Sequence, residues 1–486
     1  MILLVALIIW LLIVVLAGIL PPVFRPLRGR EDYSVAERRV SWWRNYLTAH
    51  ATQLSAATFM GFPGLIYSIG LAITYAHYIP YMIGSCAFWL IFGVTVWRLA
   101  RKYKFITPTD FLAWYYGGGS LFRIFIAIVY IITLLPYIQL QVGGAGLIFN
   151  MASNGAIPIW VGGLIAYIAV TAYLWVGGYR AITIVDTIQG VVLLSGLWAG
   201  SLAVIFGLGG GNINLLIDKV PKLMYVSGVG GYDWLFMATF AISYGAGWAF
   251  HPHMWINMYT PKSAKAQKLW STTIYIENMI HGILLSLAAI FAAALIPGVR
   301  SDLAFLTGAM RYSEILGAWL LVGIGAAIVT TVDSQLHSIG LLISHDILER
   351  GRAYFSDRAF IWINRALLMV VAAIGYILYF IYPYPLGIIA GYAAALGLIM
   401  APPIIAALTA QKWITKEGVV VGLVAALIST IVFSTGPLAN LYRIHYAAWA
   451  VVIETLVMAI VSIFTKSKPS KEVINELISV SEIHSK

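Results

Sequence analysis

The chain has 486 residues, of which 61% are hydrophobic and only 10% charged. A mean hydropathy of +0.88 excludes an ordinary soluble domain and marks a polytopic membrane protein whose solvent is the lipid bilayer. The 30 Lys and Arg outnumber the 19 Asp and Glu, an excess that in such a protein orients loops and implies no nucleic-acid partner.

A helix needs about 20 apolar residues to cross a bilayer, and about thirteen stretches qualify. They are 2–20, 48–69, 79–96, 124–150, 159–176, 187–208, 234–258, 272–296, 315–343, 359–382, 386–407, 418–433 and 447–464. The first has no basic n-region and is followed by Pro21 and Pro22, so a retained helix is expected rather than a signal peptide. Placing the N-terminus outside and the C-terminus in the cytoplasm leaves only Lys219, Lys222, Arg300, Arg311 and Arg443 as outer basic residues, as the positive-inside rule requires. The lone Cys86 rules out an intrachain disulfide or a cysteine-rich metal site. No Walker-type loop is present, so ATP is not expected to supply energy.

Two spans contain helix breakers: Gly61-Phe62-Pro63-Gly64 in the second, and Gly245-Ala246-Gly247 with Pro252 in the seventh. Proline removes a donor and glycine weakens the ladder, so the spacing predicts local unwinding there. The two breaks match in position if spans two to six and seven to eleven are five-helix repeats, which an odd helix number inverts in the membrane. Paired broken helices of this kind point to a transporter with its site at mid-depth. The resulting layout is an extra helix and loop (1–46), a first repeat (47–209), a second (210–410), two further helices (411–465) and a cytoplasmic tail (466–486).

Asp186 and Gln189 have capping-box spacing at the expected start of span six. Beside Arg180 at the inner mouth, Asp186 is a candidate for holding a departing cation or for pairing with the arginine as an inner gate. Within span nine, Ala327, Thr330 and Thr331 stand at i, i+3 and i+4 on one helical face. Their carbonyl and hydroxyl oxygens are neutral and suit a hard monovalent cation; helix-pairing threonines are the plainer alternative. Groups able to face the two breaks, and so a solute, are Thr58, Tyr137, Gln139, Gln141, Trp248, His251 and Tyr392. Asp333 is a candidate helix-pairing residue, and Glu277 and Glu454 are left unplaced, each able to snorkel or to pair across helices.

Three stretches then resemble one family. Gly177-Gly178-Tyr179-Arg180-Ala181 followed by Asp186-Thr187-Ile188-Gln189, the run from Ala326 to Leu336, and the run from Ala51 to Gly64 are similar to signatures of the sodium/solute symporters, which include proline, sugar, pantothenate and monocarboxylate carriers. The resemblance implies an all-α fold with a five-plus-five inverted-repeat core and broken helices, as in the leucine transporter. It implies Na+ as coupling ion, held by the carbonyls of Ala51, Leu54 and Ala327 and the hydroxyls of Thr330 and Thr331, with Asp186 as the inner-side aspartate. One departure is Gln53, where proline symporters carry an aspartate. Residues 135–141 are similar to a stretch of monocarboxylate symporters, and 177–190 to pantothenate symporters. The expected function is sodium-coupled symport of a small organic solute bearing a carboxylate, in the cell membrane, and not an enzyme. A proton-coupled carrier, a channel and a membrane sensor are the alternatives.

Overall fold

The computed structural model describes residues 2–225, 233–381, 384–439 and 441–482. Among these residues there is no strand, and the one extended pairing is an isolated bridge between Val40 and Pro261. The expected end of span ten at Tyr382 lies outside the described residues. Among the described residues ten helices are long and apolar enough to cross a membrane. One of them runs 50 residues, Ile159–Leu208, which at 1.5 Å per residue is about 75 Å and far exceeds the ~30 Å hydrocarbon core. It therefore supplies the fifth and sixth spans together.

The change of direction falls at Gly178, whose φ of 52° and ψ of −143° lie outside helical space. A Cβ there would also approach the Tyr33 ring to 2.5 Å, so only glycine fits. Because Gly178 takes the turn, the helix that follows already contains Asp186 in its interior. The capping box expected at Asp186 and Gln189 is not formed, since neither residue is at a helix start.

The two interrupted spans appear as pairs of short helices. The second begins earlier than expected, as Trp42–Gln53, and resumes after Leu54 and Ser55 through a wide turn, Ala57–Gly61, into Phe62–Ile69. The discontinuity lies at Leu54, in extended conformation, and not at Gly61–Gly64. Pro63 sits at the start of Phe62–Ile69, immediately after the wide turn. The seventh span runs Trp234–Ala246, tightens over Gly247–Phe250, becomes extended at His251 and continues as Pro252–Tyr259. Gly247 lies against the Ala394 carbonyl of span eleven, leaving no room for a side chain.

Lipid is as apolar as the protein interior, so hydrophobicity alone does not choose a packing face; small residues that admit close approach do. The first span is apolar all round and buries Leu7 and Trp10 against Gly325 of span nine, while Gly18 receives Tyr173 of span five. At the end of the bundle carrying the basic loops, Arg123 bridges Asp110 (2.7 Å) and Asp346 (2.9 Å), and His345 lies 3.0 Å from Asp110. Arg30 pairs with Glu349 at 2.6 Å. A tail helix, Lys471–Glu482, is tied to span three by Lys102 to Glu476 (2.6 Å) and by Arg98 to the Val480 carbonyl (2.9 Å).

Candidate functional site

In an unbroken helix the carbonyls of Ala51, Thr52 and Gln53 would accept from the amides of Ser55, Ala56 and Ala57. Here each of those amides is taken by a side-chain oxygen instead. Ser55 N–H donates to Thr58 Oγ1 (3.3 Å), Ala56 N–H to Gln141 Oε1 (3.1 Å) and Ala57 N–H to Ser55 Oγ (3.1 Å). The carbonyls are thereby released from the helix while no amide is left orphaned.

The freed oxygens meet the threonine pair of span nine. Thr330 Oγ1 lies 2.9 Å from the Ala51 carbonyl, 2.9 Å from that of Ala326 and 3.2 Å from that of Ala327. Thr331 Oγ1 lies 3.2 Å from the Thr52 carbonyl, 3.0 Å from that of Leu54 and 2.9 Å from that of Ala327. Each hydroxyl has a single proton to give, so the cluster holds more acceptors than donors. Surplus neutral oxygens converging in a dry place are what a hard monovalent cation fits. All five residues expected to hold sodium are together here, each with no more than 2% of its surface exposed.

Beside the cluster, Asp186 and Asp333 are wholly buried and interact with each other. Tyr173 donates to Asp333 at 2.6 Å, so this aspartate does join helices, and Thr52 and Ser334 hydroxyls lie 3.2 Å apart. Arg180 is not Asp186's partner: its guanidinium donates to Asp32 at 2.7 Å and to the Arg25 carbonyl.

On the other side of the first break is a narrow cavity of about 20 Å³, lined by residues of spans two, three, four, seven and eight. It is a water-sized space. Thr58, Tyr137 and Trp248 line it as expected. Gln141 does not; its amide oxygen serves the Ala56 N–H. His251 packs behind the wall, with ring centroids 5.4 Å from Tyr137 and 5.6 Å from His253. Gln139 is not part of the lining, and Tyr392 lines a separate, mostly apolar vestibule of about 230 Å³ at the end away from the basic loops. Between vestibule and cavity, Phe62 and His77 stack at 3.6 Å, with Tyr244 edge-on to both at 5.4 Å. The sequence reading missed Gln53, Phe62, His77, Tyr78, Tyr81 and His281 as lining residues, which together with Leu54, Ser55 and Ala57 complete the wall. Their signal was available: histidines and a glutamine inside apolar spans are costly unless they have work to do.

The model of the sodium:solute symporter family matches residues 33–426. The chain belongs to the sodium:solute symporter family. It is similar to a sodium/pantothenate symporter of Haemophilus influenzae, 27% identical over 316 residues, covering 63% of this chain and 63% of that relative. It is also similar to a sodium/proline symporter of Staphylococcus aureus, 23% identical over 479 residues, covering 93% and 90%. Among solved structures, a substrate-bound, outward-open Na+-coupled sialic acid symporter superposes with a TM-score of 0.79 at 15% identity, covering 97% of this chain and 99% of that one. A nucleobase-cation-symport-1 transporter in a closed conformation gives 0.59 at 14% identity, covering 94% and 99%. These likenesses establish the broken-helix, inverted-repeat fold. As a member of its family the protein is a sodium-coupled solute symporter in a membrane, and its relatives are transporters rather than enzymes.

Proposed function

We propose that Na+ bound by the Ala51, Leu54 and Ala327 carbonyls and the Thr330 and Thr331 hydroxyls drives uptake of a small carboxylate-bearing solute by alternating access. The observation that carries this reading is the meeting of Thr330 and Thr331 with carbonyls released at Leu54. The ion joins the first broken span to span nine, and one wall of the solute cavity continues directly from that break. Loading the ion therefore shapes the solute site.

The solute sits between the two breaks, against Thr58, Tyr137 and Trp248. A carboxylate is favoured because proline and pantothenate, carried by relatives, both bear one, and because the dipole at the N-terminal end of a broken helix favours an anion. The N-terminus faces outward and the basic end faces the cytoplasm, so that the vestibule opens outside. A tenfold sodium gradient supplies about 1.4 kcal/mol, and about 100 mV of potential adds about 2.3 kcal/mol per charge. For a monoanion carried with one sodium the cycle is electroneutral and only the first contribution counts.

The test is uptake of radiolabelled proline, pantothenate, pyruvate and lactate into proteoliposomes with an imposed sodium gradient. Sodium-dependent accumulation of at least one carboxylate is expected. Accumulation of none of the four, or accumulation unaffected by sodium, overturns the reading.

A further inference from the structure

The loop joining the first helix, Ile2–Phe24, to the second span, which starts at Trp42, frames a cavity of about 650 Å³ at the basic end of the bundle. Five arginines line it: Arg25, Arg28 and Arg39 from the loop, Arg44 from span two and Arg180 from the turn into span six. Among the described residues the carboxylates in its wall are Asp32 and Glu37, and both are already engaged. Asp32 accepts from Arg180 at 2.7 Å and from the Arg28 N–H at 3.1 Å, and Glu37 lies 3.4 Å from Arg39 and 3.9 Å from Arg28. Arg25 and Arg44 pair with no carboxylate among the described residues; Arg44 donates to Thr183 Oγ1 at 3.2 Å. Five guanidinium groups against two carboxylates leave three positive charges uncompensated.

The wall is fixed in shape. Ala36, Glu37 and Arg38 all take left-handed φ, 48°, 52° and 54°, a conformation unfavourable for residues that bear a side chain. Buried Arg38 anchors this turn through Glu31 at 2.9 Å and the Phe105 carbonyl at 2.7 Å. The surroundings also give the cavity a depth. Phe24 and Trp43 are the chain neighbours of Arg25 and Arg44, and both are exposed, as is Trp42. Exposed tryptophans at the end of a membrane helix stand at headgroup level. A second cleft of about 540 Å³ shares Pro26 and Arg28 with the first and has Val23, Ile361 and Trp362 in its wall, so an apolar surface adjoins the arginines.

We propose that this cavity binds the phosphate of an anionic phospholipid, whose oxygens meet the Arg25 and Arg44 guanidinium groups while an acyl chain lies along the adjoining cleft. Basic cavities between spans at the membrane surface suit such headgroups, and a guanidinium can grip two phosphate oxygens at once. Arg44 lies on the half of span two that ends at the Leu54 break, and Arg180 precedes Asp186 on the next span. A bound phosphate therefore links the basic ends of two helices that lead to the ion cluster. The site stands apart from the solute cavity and does not depend on which solute is carried.

The test uses the full chain, delipidated in a neutral detergent and titrated separately with phosphatidylglycerol, phosphatidylcholine and inorganic phosphate. Native mass spectrometry counts the lipid retained, and the melting temperature reports binding to the folded state. Phosphatidylglycerol is expected to be retained and to raise the melting temperature. Phosphatidylcholine, whose phosphate is balanced by a choline cation, and inorganic phosphate, which has no acyl chain, are expected to do much less at equal concentration. Arg25→Gln combined with Arg44→Gln breaks no ion pair and is expected to weaken phosphatidylglycerol binding roughly thirtyfold, with a cooperative melt as proof of folding. Arg25→Gln alone, at an exposed residue, serves if the double variant does not fold, with a several-fold loss. Lys466→Gln combined with Lys468→Gln removes the same charge from exposed positions after the last span and is expected to leave binding unchanged. Equal affinity in the parent and the arginine variants, an equal loss in the lysine variant, or stabilisation by inorganic phosphate as strong as by the lipid overturns the proposal.

Discussion

The hydroxyl of Thr331 stands 3.0 Å from the carbonyl oxygen of Leu54, 277 residues earlier in the chain. Two spans from opposite repeats are therefore joined through one threonine side chain and one stretch of main chain. With Thr330 it forms a neutral oxygen cluster, and its consequences are open to measurement.

Thr330→Ala combined with Thr331→Ala removes both hydroxyls and leaves the carbonyls facing each other unrelieved. A ligand that binds only the folded protein raises its melting temperature, so sodium is expected to stabilise the parent protein and not the double variant. Each lost hydroxyl contact is worth about 1–3 kcal/mol, or roughly tenfold to a hundredfold in sodium affinity. Thr331→Ser, which keeps the oxygen, is expected to retain most of the shift. Equal sodium stabilisation in the parent and the double alanine variant would falsify the assignment.

Gln141 touches none of the five oxygens, yet it holds the break open by accepting from Ala56 N–H. Gln141→Leu leaves that amide free to return to the Thr52 carbonyl, re-forming helix across the gap. Sodium binding, followed with ²²Na+ in detergent, is expected to weaken about tenfold while the helical content by circular dichroism holds or rises. Unchanged sodium affinity would show that the amide is not what keeps the break.

The stack of Phe62 on His77 stands between vestibule and cavity. In Phe62→Ala, a cysteine placed by Thr58→Cys is expected to react with a membrane-impermeant thiol reagent several-fold faster than in the Phe62 parent. The native Cys86 is buried and supplies little background. Equal rates would mean that the barrier lies elsewhere.

At the basic end of the bundle, burial by itself would raise the carboxyl of Asp110, but the adjacent His345 ring and Arg123 guanidinium outweigh it and hold the group below the usual carboxylate range. A depressed carboxylate contributes stability above its unfolded value of ~3.9, and that contribution is lost as pH falls through the lower, folded value. Asp110→Asn removes the charge from a buried network and is expected to cost about 3 kcal/mol at neutral pH. The gap between parent and variant melting temperatures should close as the medium approaches and passes below about pH 3. A gap that stays constant across that range would remove the electrostatic explanation.

The crossings were legible because apolar length is a local property, and the threonine face because i, i+3, i+4 geometry is too. What escaped was set by distant partners. The break at Leu54 depends on Gln141, 85 residues from the amide it binds, so glycine and proline at 61–64 drew attention to the wrong turn. Asp186 looked like a cap because Gly177 and Gly178 looked like a loop; in fact one glycine dihedral does all the turning. Nothing local marks Glu277 as the neighbour of His50, which stands on span two.

Most of what Thr330 and Thr331 touch on the second span is peptide carbonyl, and a peptide carbonyl is the same whatever residue bears it. The side chains at positions 51–54 can therefore be exchanged without disturbing that contact, while Gln53 among them reaches toward the cavity. A carrier built this way can change its cargo through substitutions in the very segment that meets the threonine pair, which leaves room for wide divergence around one unvarying main-chain contact.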